Sequence, residues 1–154
     1  MDVSFAQEEL TPELEQEFDA LIAAYYEATP AKEGLPPYDF DWPLYEHLQA
    51  AGALVITTAR EKPTTALVGM AIYLIVRHAH HRGMWLAECD SISVAHTARG
   101  QGLGKRLFQF TEPLLVARDV QKIVNRYRLC YNTRPMFESL GFKCVEHVYV
   151  KETA

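Results

Sequence analysis

Two carboxylates, Glu88 and Asp90, stand in the otherwise apolar stretch MWLAECDSISV, residues 84–94. Read as a strand, the stretch puts both on one face, with the same parity as Ile92 and Val94. A charge inside a sheet covered on both sides is costly without a partner. Such a carboxylate is either a structural group bonded to backbone, Tyr or His, or a general base with a raised pKa in a cleft. Directly downstream, ARGQGLGKRL sets Gly100, Gly102 and Gly104 between a strand and a helix. There the backbone N–H groups and the helix dipole together suit an anion, and glycine lets the main chain approach it closely. The run is not a Walker A loop, because it lacks the Gly-Lys-Ser/Thr ending. Nor is it a dinucleotide fingerprint, which follows a first strand and needs an acidic residue for the ribose. His78, His80 and His81 crowd RHAHHRG, but no paired Cys/His or His-Glu-x-x-His pattern accompanies them, so a polar turn and no metal site are expected.

The elements that must position these groups follow from periodicity and punctuation. DVSFA is a short first strand. Thr11 and Pro12 open an amphipathic helix over 12–28, on the spacing of Leu14, Phe18, Leu21, Ile22 and Tyr25. A breaker-rich loop follows, and Asp41 caps a second helix that ends before Gly52. ALVITTAR and TALVGMAIYLIV form a hairpin around EKP, and HAHHRG is the turn into the third long strand, 84–94. GQGLGKRLFQFTEPLLVAR is a long helix that Pro113 kinks. KIVNRYRLCY is a strand, TRPMFESL a short helix closed by Gly141, and FKCVEHVYVK a last strand. The order β-α-α-β-β-β-α-β-α-β predicts an α/β fold, a single domain over 1–154 with one mixed sheet and helices on both faces.

Composition narrows the function classes. The 154 residues are 49% hydrophobic and 23% charged, ordinary globular values, and no apolar run is long enough to span a bilayer. Cys89, Cys130 and Cys144 are scattered and odd in number, which points to a reducing cytoplasm rather than disulfides or zinc. The net charge of −5 argues against nucleic acid as a partner. Charge is also divided. Residues 1–50 hold twelve acidic residues and one basic, whereas 99–128 hold seven basic and two acidic, so one part suits a cationic ligand and the other an anionic one.

Arg99-Gly100-Gln101-Gly102-Leu103-Gly104 matches R-x-x-G-x-G, and SVAHTARGQGLGKRL resembles the coenzyme A pyrophosphate loop of the GCN5-related N-acetyltransferases, the GNAT family. NTRPMFESLGF resembles that family's short helix with its Leu-Gly-Phe ending, and one helix plus one strand between the two landmarks is the family's spacing. The resemblance covers residues 3–151 and is strongest over 86–142. It implies acetyl-CoA as cofactor, with the backbone of Ile92, Ser93 and Val94 on the pantetheine amides. It implies the N–H groups of Arg99, Gly100, Gln101, Gly102, Leu103, Gly104 and Lys105 on the pyrophosphate, and Asn132 near the distal arm. It also implies acyl transfer to an amine, with a base on strand 84–94. Glu88 is the first choice by position and Asp90 the second.

The first two helices and their loop would then form the acceptor wall. Tyr25, Tyr26 and Glu27, with PPYDFDW and its Tyr38, make that wall acidic and aromatic, which suits a cationic amine. The same cluster would serve equally as a helix-packing loop. His80, at the turn, would lie near the acceptor mouth. The family's usual general acid, a tyrosine in the short helix, is replaced by Phe137. Tyr131 and Cys130 are the substitutes in reach, unless the thiolate leaves unaided. The function implied is acetyl transfer to a small-molecule or peptide amine. A non-catalytic acyl-CoA-binding module, or transfer to a macromolecule, is the alternative. Many members of the family dimerise, so a homodimer is an option, although no exposed apolar face is legible.

Overall fold

A computed structural model describes residues 1–27, 39–127 and 132–151, and the side chains of residues 25–27 lie outside that description. The chain runs β1 (Val3–Glu8), α1 (Pro12–Glu27), α2 (Trp42–Ala50), β2 (Leu54–Glu61), β3 (Leu67–Arg77) and β4 (Trp85–Val94). A short 3-10 turn (His96–Ala98), α3 (Leu103–Val116), β5 (Lys122–Val124) and α4 (Arg134–Ser139) follow. The five strands form one sheet in chain order. β1 to β4 pair antiparallel, and β5 joins β4 in parallel after the α3 crossover.

Local chemistry starts the helices where the sequence says. Thr11 Oγ1 accepts from the Leu14 N–H at 3.3 Å ahead of Pro12, and the Asp41 carboxylate accepts from Leu44 at 3.2 Å ahead of Pro43. α3 continues through Pro113 without breaking. The sheet is covered on both sides, as the predicted mixed α/β fold requires. One core layer joins Val55, Ala71, Tyr73, Ile75, Ala87 and Val120 to Leu103, Leu107, Phe108 and Leu115 of α3 and Phe137 of α4. The other joins Leu54, Ile56, Met70 and Ile72 to Leu14, Phe18 and Leu21 of α1. An arginine clamp ties β1, α1 and β2 together: Arg60 donates to both Glu8 oxygens at 2.8 and 3.0 Å and to both Glu17 oxygens at 2.9 and 2.6 Å.

Among the described residues, the predicted last strand has no pairing partner: residues 142–151 form no ladder with them, and Val145, Val148, Tyr149 and Val150 are 65–93% exposed. An alternating segment becomes a strand only where a neighbouring edge supplies partners, and none of the described strands pairs with it. Only Phe142 is drawn in, by contacts with Phe108 and Phe137. The predicted strand 122–131 is likewise shorter, pairing only Lys122–Val124 within its described part, and 128–131 lie outside the described residues.

Candidate active site

The geometry of β4 decides what the site can do. β5 pairs with Leu86, Ala87 and Glu88 and then stops, so among the described residues Cys89 and Ser91 to Val94 have ladder partners on the β3 side only. At about 3.3 Å per residue, that leaves roughly 16 Å of open strand edge. Opposite the open stretch, the β3–β4 register slips: Ile72 pairs with Ser91 and Tyr73 with Cys89, so Asp90 is the extra residue of a bulge.

The bulge overturns the shared parity expected for Glu88, Asp90, Ile92 and Val94. Ile92 and Val94 pack into the core under α3, beside Cys89. Glu88 lies across from Leu74, which belongs to the layer under α1, and Asp90 reaches Tyr45 of α2. A two-residue period holds only along an uninterrupted pleat, and one inserted residue exchanges the two faces. The expected cost of burying these carboxylates is also relieved. The Glu88 side chain is 31% exposed and Asp90 is exposed, because β5 ends opposite Glu88 and does not reach Asp90.

Each carboxylate has a different partner. Glu88 accepts from the Arg126 guanidinium at 3.0 Å. Asp90 accepts from the neutral Tyr45 hydroxyl at 2.6 Å. Burial, this bond and the negative Asp90 all push the Tyr45 phenol well above its usual range, so it stays protonated and remains a donor. Around it, Phe40, Trp42 and Tyr45 form a cluster, with ring centroids 4.7 Å apart for Phe40–Trp42 and 5.6 Å for Trp42–Tyr45. Trp42 Nε1 also donates to Asp19 at 3.4 Å. Neither Tyr45 nor Arg126 is marked by the sequence alone. The only signals are a tyrosine one turn into an acid-capped helix and an arginine just past a strand.

At the other end of β4, the glycine turn has the form expected of an anion cradle. Gly100 and Gly102 have φ of +75° and +72°, left-handed values that glycine adopts without penalty. Among the described residues, no backbone N–H from 100 to 105 donates to a protein acceptor. The first to do so is Arg106, to Gly102 at 3.1 Å, which leaves the α3 N-terminus open to an anion. Arg99 Nε donates to the Val94 carbonyl at 3.1 Å and Gln101 Nε2 to that of Thr97 at 3.1 Å, which fastens the turn to the end of β4. Leu103 is buried against the core, while Gly104 and Lys105 are half-buried. A Cβ at Gly104 would sit 3.8 Å from Met136 Sδ, so α4 packs close behind the turn.

The remaining candidates are scattered. Ser93 is buried, and its hydroxyl has no partner. Asn132 is exposed ahead of α4. His80 lies in the β3–β4 turn, at the opposite end of β4 from the glycines, where its N–H donates to His78 Nδ1 at 3.1 Å. His78 is held below the usual histidine range by desolvation and by His81 and His80 beside it. Among the described residues, no three His, Cys, Asp or Glu side chains converge as a metal site. Tyr131, Tyr38, Cys130 and the Tyr26 side chain lie outside the described residues. Phe137 is buried at 8% exposure, with Phe108, Phe142 and Tyr127 rings 5.2, 5.5 and 5.4 Å away.

A mixed sheet that opens beside a glycine-rich helix start, with acids on one side and unsatisfied N–H groups on the other, is the layout of an acyltransferase fold. Residues 52–144 match the acetyltransferase (GNAT) domain model, and the chain belongs to that family. No curated protein sequence matches it. Among solved structures, it is similar to ribosomal-protein-alanine N-acetyltransferase from Brucella melitensis biovar Abortus 2308, with 27% identity, 100% of this chain and 99% of that one covered, and a TM-score of 0.75. It shares the fold of glucosamine-6-phosphate N-acetyltransferase from Arabidopsis thaliana, at 15% identity, 98% and 99% coverage and a TM-score of 0.75. It also shares the fold of AAC(6')-Iy in complex with the bisubstrate analogue CoA-S-monomethyl-acetylneamine, at 16% identity, 100% and 99% coverage and a TM-score of 0.70. No described helix is long and apolar enough to cross a membrane.

Proposed function

We propose that the protein transfers the acetyl group of acetyl-CoA to a primary amine of a small molecule or peptide, by direct attack, in the cytoplasm. The observation that carries this reading is the Asp90 carboxylate. The bulge and the Tyr45 hydroxyl hold it on the acidic, aromatic side of β4, while the open edge of the same strand leads to the cationic glycine turn. A cationic amine is drawn to that side by Asp90, Asp19 and the aromatic rings. The N–H groups of 100–105 and the α3 dipole would take the pyrophosphate, and the free edge of Ile92 to Val94 would take the amides of the pantetheine arm. The bisubstrate analogue bound by AAC(6')-Iy supports such a ligand in this fold. The name of the Brucella relative supports an amino group as acceptor.

Direct attack is favoured over an acyl-cysteine intermediate by the state of Cys89. Burial pushes this thiol up to about 12, so it is not a nucleophile at neutral pH. Between the two carboxylates, Asp90 is the better candidate to hold the amine and take its proton, because the partner of Glu88 is a cation, Arg126, whereas that of Asp90 is the neutral Tyr45 hydroxyl. The thiolate would leave without a tyrosine acid, since Phe137 sits among aromatic rings. That same feature favours a second reading, an acyl-CoA-binding module without turnover. Thiol release on mixing with acetyl-CoA and a panel of amines decides between them. With the best amine, Asp90→Asn is expected to lower kcat/KM by about 10²–10³, the usual range for losing a general base, and Glu88→Gln by less than about tenfold. Tight CoA binding with no thiol release from any amine would leave the module reading standing.

A further inference from the structure

Past the last β4–β5 pair, Glu88 with Val124, the next residue of the chain is Asn125. Its Oδ1 accepts from the Tyr73 hydroxyl at 2.8 Å, and its Nδ2 is sealed from solvent with no acceptor among the described residues. An amide N–H left unpaired in that way costs about 1–3 kcal/mol, so it calls for a partner from outside the chain. Tyr73 is 1% exposed and lies opposite Cys89 in the β3–β4 ladder. Its ring belongs to the core under α3, as does Cys89.

The orientation of the amide is set by the Tyr73 hydroxyl, whose single proton goes to Asn125 Oδ1. The neighbouring Cys89 thiol, kept protonated by burial, points its own proton at the Ser91 carbonyl at 3.8 Å. With Oδ1 so engaged, Nδ2 faces away from Tyr73. Tyr73 comes from β3, Cys89 from β4 and Asn125 from the residue just past β5, so the three stand where the open edge of β4 begins.

We propose that Asn125 is a catalytic residue whose Nδ2–H donates to the acyl carbonyl oxygen of the bound thioester, with Tyr73 as the positioning residue that aims it. The inference rests on the acetyl-transfer reading above. In the step it serves, the amine nitrogen bonds to the acyl carbon and the C–S bond breaks. The carbonyl oxygen carries the negative charge until it passes to the departing sulfur. The amine's surplus proton goes to a carboxylate on the acceptor side. A neutral donor already in place stabilises that charge without reorganising, and loss of one such donor typically lowers kcat by about 10²–10³.

The test combines kinetics with infrared difference spectra of acetyl-CoA carrying a 13C-labelled acetyl carbonyl. In the wild type the bound carbonyl band is expected below its solution position. In Asn125→Ala it should return to that position, while kcat falls by about 10²–10³ and the Kd for acetyl-CoA stays within about twofold. Asn125→Asp, of equal size but without the donor, should do the same and covers the case in which the alanine variant folds poorly. Tyr73→Phe should broaden the band and lower kcat by a smaller factor with KM unchanged, an effect that simple loss of packing would not produce. A band that is the same in wild type and both Asn125 variants overturns the inference, as does an unchanged kcat. Because the band needs only binding, it reports on Asn125 even if no amine is acetylated, in which case only the transfer reading falls. A wild type that does not bind acetyl-CoA overturns both.

Discussion

Thr57 of β2 and Thr111 of α3 meet inside the core, at 0% and 1% exposure, with their hydroxyls 2.7 Å apart. Thr111 Oγ1 also donates to the Leu107 carbonyl at 2.8 Å. That uses its one proton, so Thr57 must be the donor between the pair. Thr111→Val, nearly isosteric, therefore strands the Thr57 O–H without an acceptor and is expected to cost about 2 kcal/mol, the middle of the range for a buried unsatisfied hydroxyl. For a chain of this size, that lowers Tm by about 4–8 °C. Thr57→Val removes the donor but leaves Thr111 bonded to Leu107, so it should cost about 1 kcal/mol or less. The double variant carries no orphaned hydroxyl and should be no less stable than Thr111→Val alone. The coupling, measured as a double-mutant cycle by urea unfolding, is then about 1–2 kcal/mol. Losses that simply add would refute the donor assignment. The binding of CoA should follow none of this, because the pair lies two turns beyond the α3 start that carries the cradle.

Two further outcomes follow from the same kind of argument. Gly102 opens α3 in a left-handed conformation, with nothing within 4 Å of where a Cβ would stand. Gly102→Ala should thus cost about 1–2 kcal/mol through backbone strain alone and, where the turn relaxes instead, weaken CoA about five- to thirtyfold. Gly102→Asn, which tolerates that conformation, should recover part of both in calorimetric titrations; equal affinity for all three forms would contradict the cradle. The bonds from Arg60 hold the Glu8 carboxyl below its ordinary 4.5, so this group stabilises the fold at neutral pH. That contribution is lost as pH falls through the lowered value. Arg60→Met should consequently be less stable than wild type at pH 7, with a gap that narrows on acidification below about 4.5; an unchanging gap in urea midpoints would refute it.

Much of this architecture is legible from the chain. Caps at Thr11 and Asp41, the glycines at 100–104 and the Leu-Gly-Phe ending each mark a boundary through backbone chemistry that acts within a few residues. What the sequence hides depends on contacts between distant segments. The bulge at Asp90 leaves no trace in MWLAECDSISV, because alternation looks the same whether or not the pleat is interrupted. Pairing of Glu88 with Arg126 requires knowing where β5 stops. Residues 142–151 read as a strand by composition, yet a strand also needs an edge to join. Asn125 had one faint mark, a short amide in the middle of the strand-like KIVNRYRLCY, but its meaning comes only from Tyr73 52 residues earlier.

The bulge has a consequence for how this strand can change. It acts as a phase shift, dividing β4 into two half-strands that are out of step by one residue. Before Asp90, the acceptor side reads the positions of Glu88 and the α3 core reads Cys89; after it, the core reads Ile92 and Val94. The two halves therefore answer to different neighbours, the first to Leu74 and Tyr73 and the second to Ala71 and Gly69. Loss of the single residue at 90 would merge the halves into one regular ladder, with Ser91 still across from Ile72 and Ile92 still across from Ala71. The extra residue thus sets where a carboxylate stands and not what the α3 core receives.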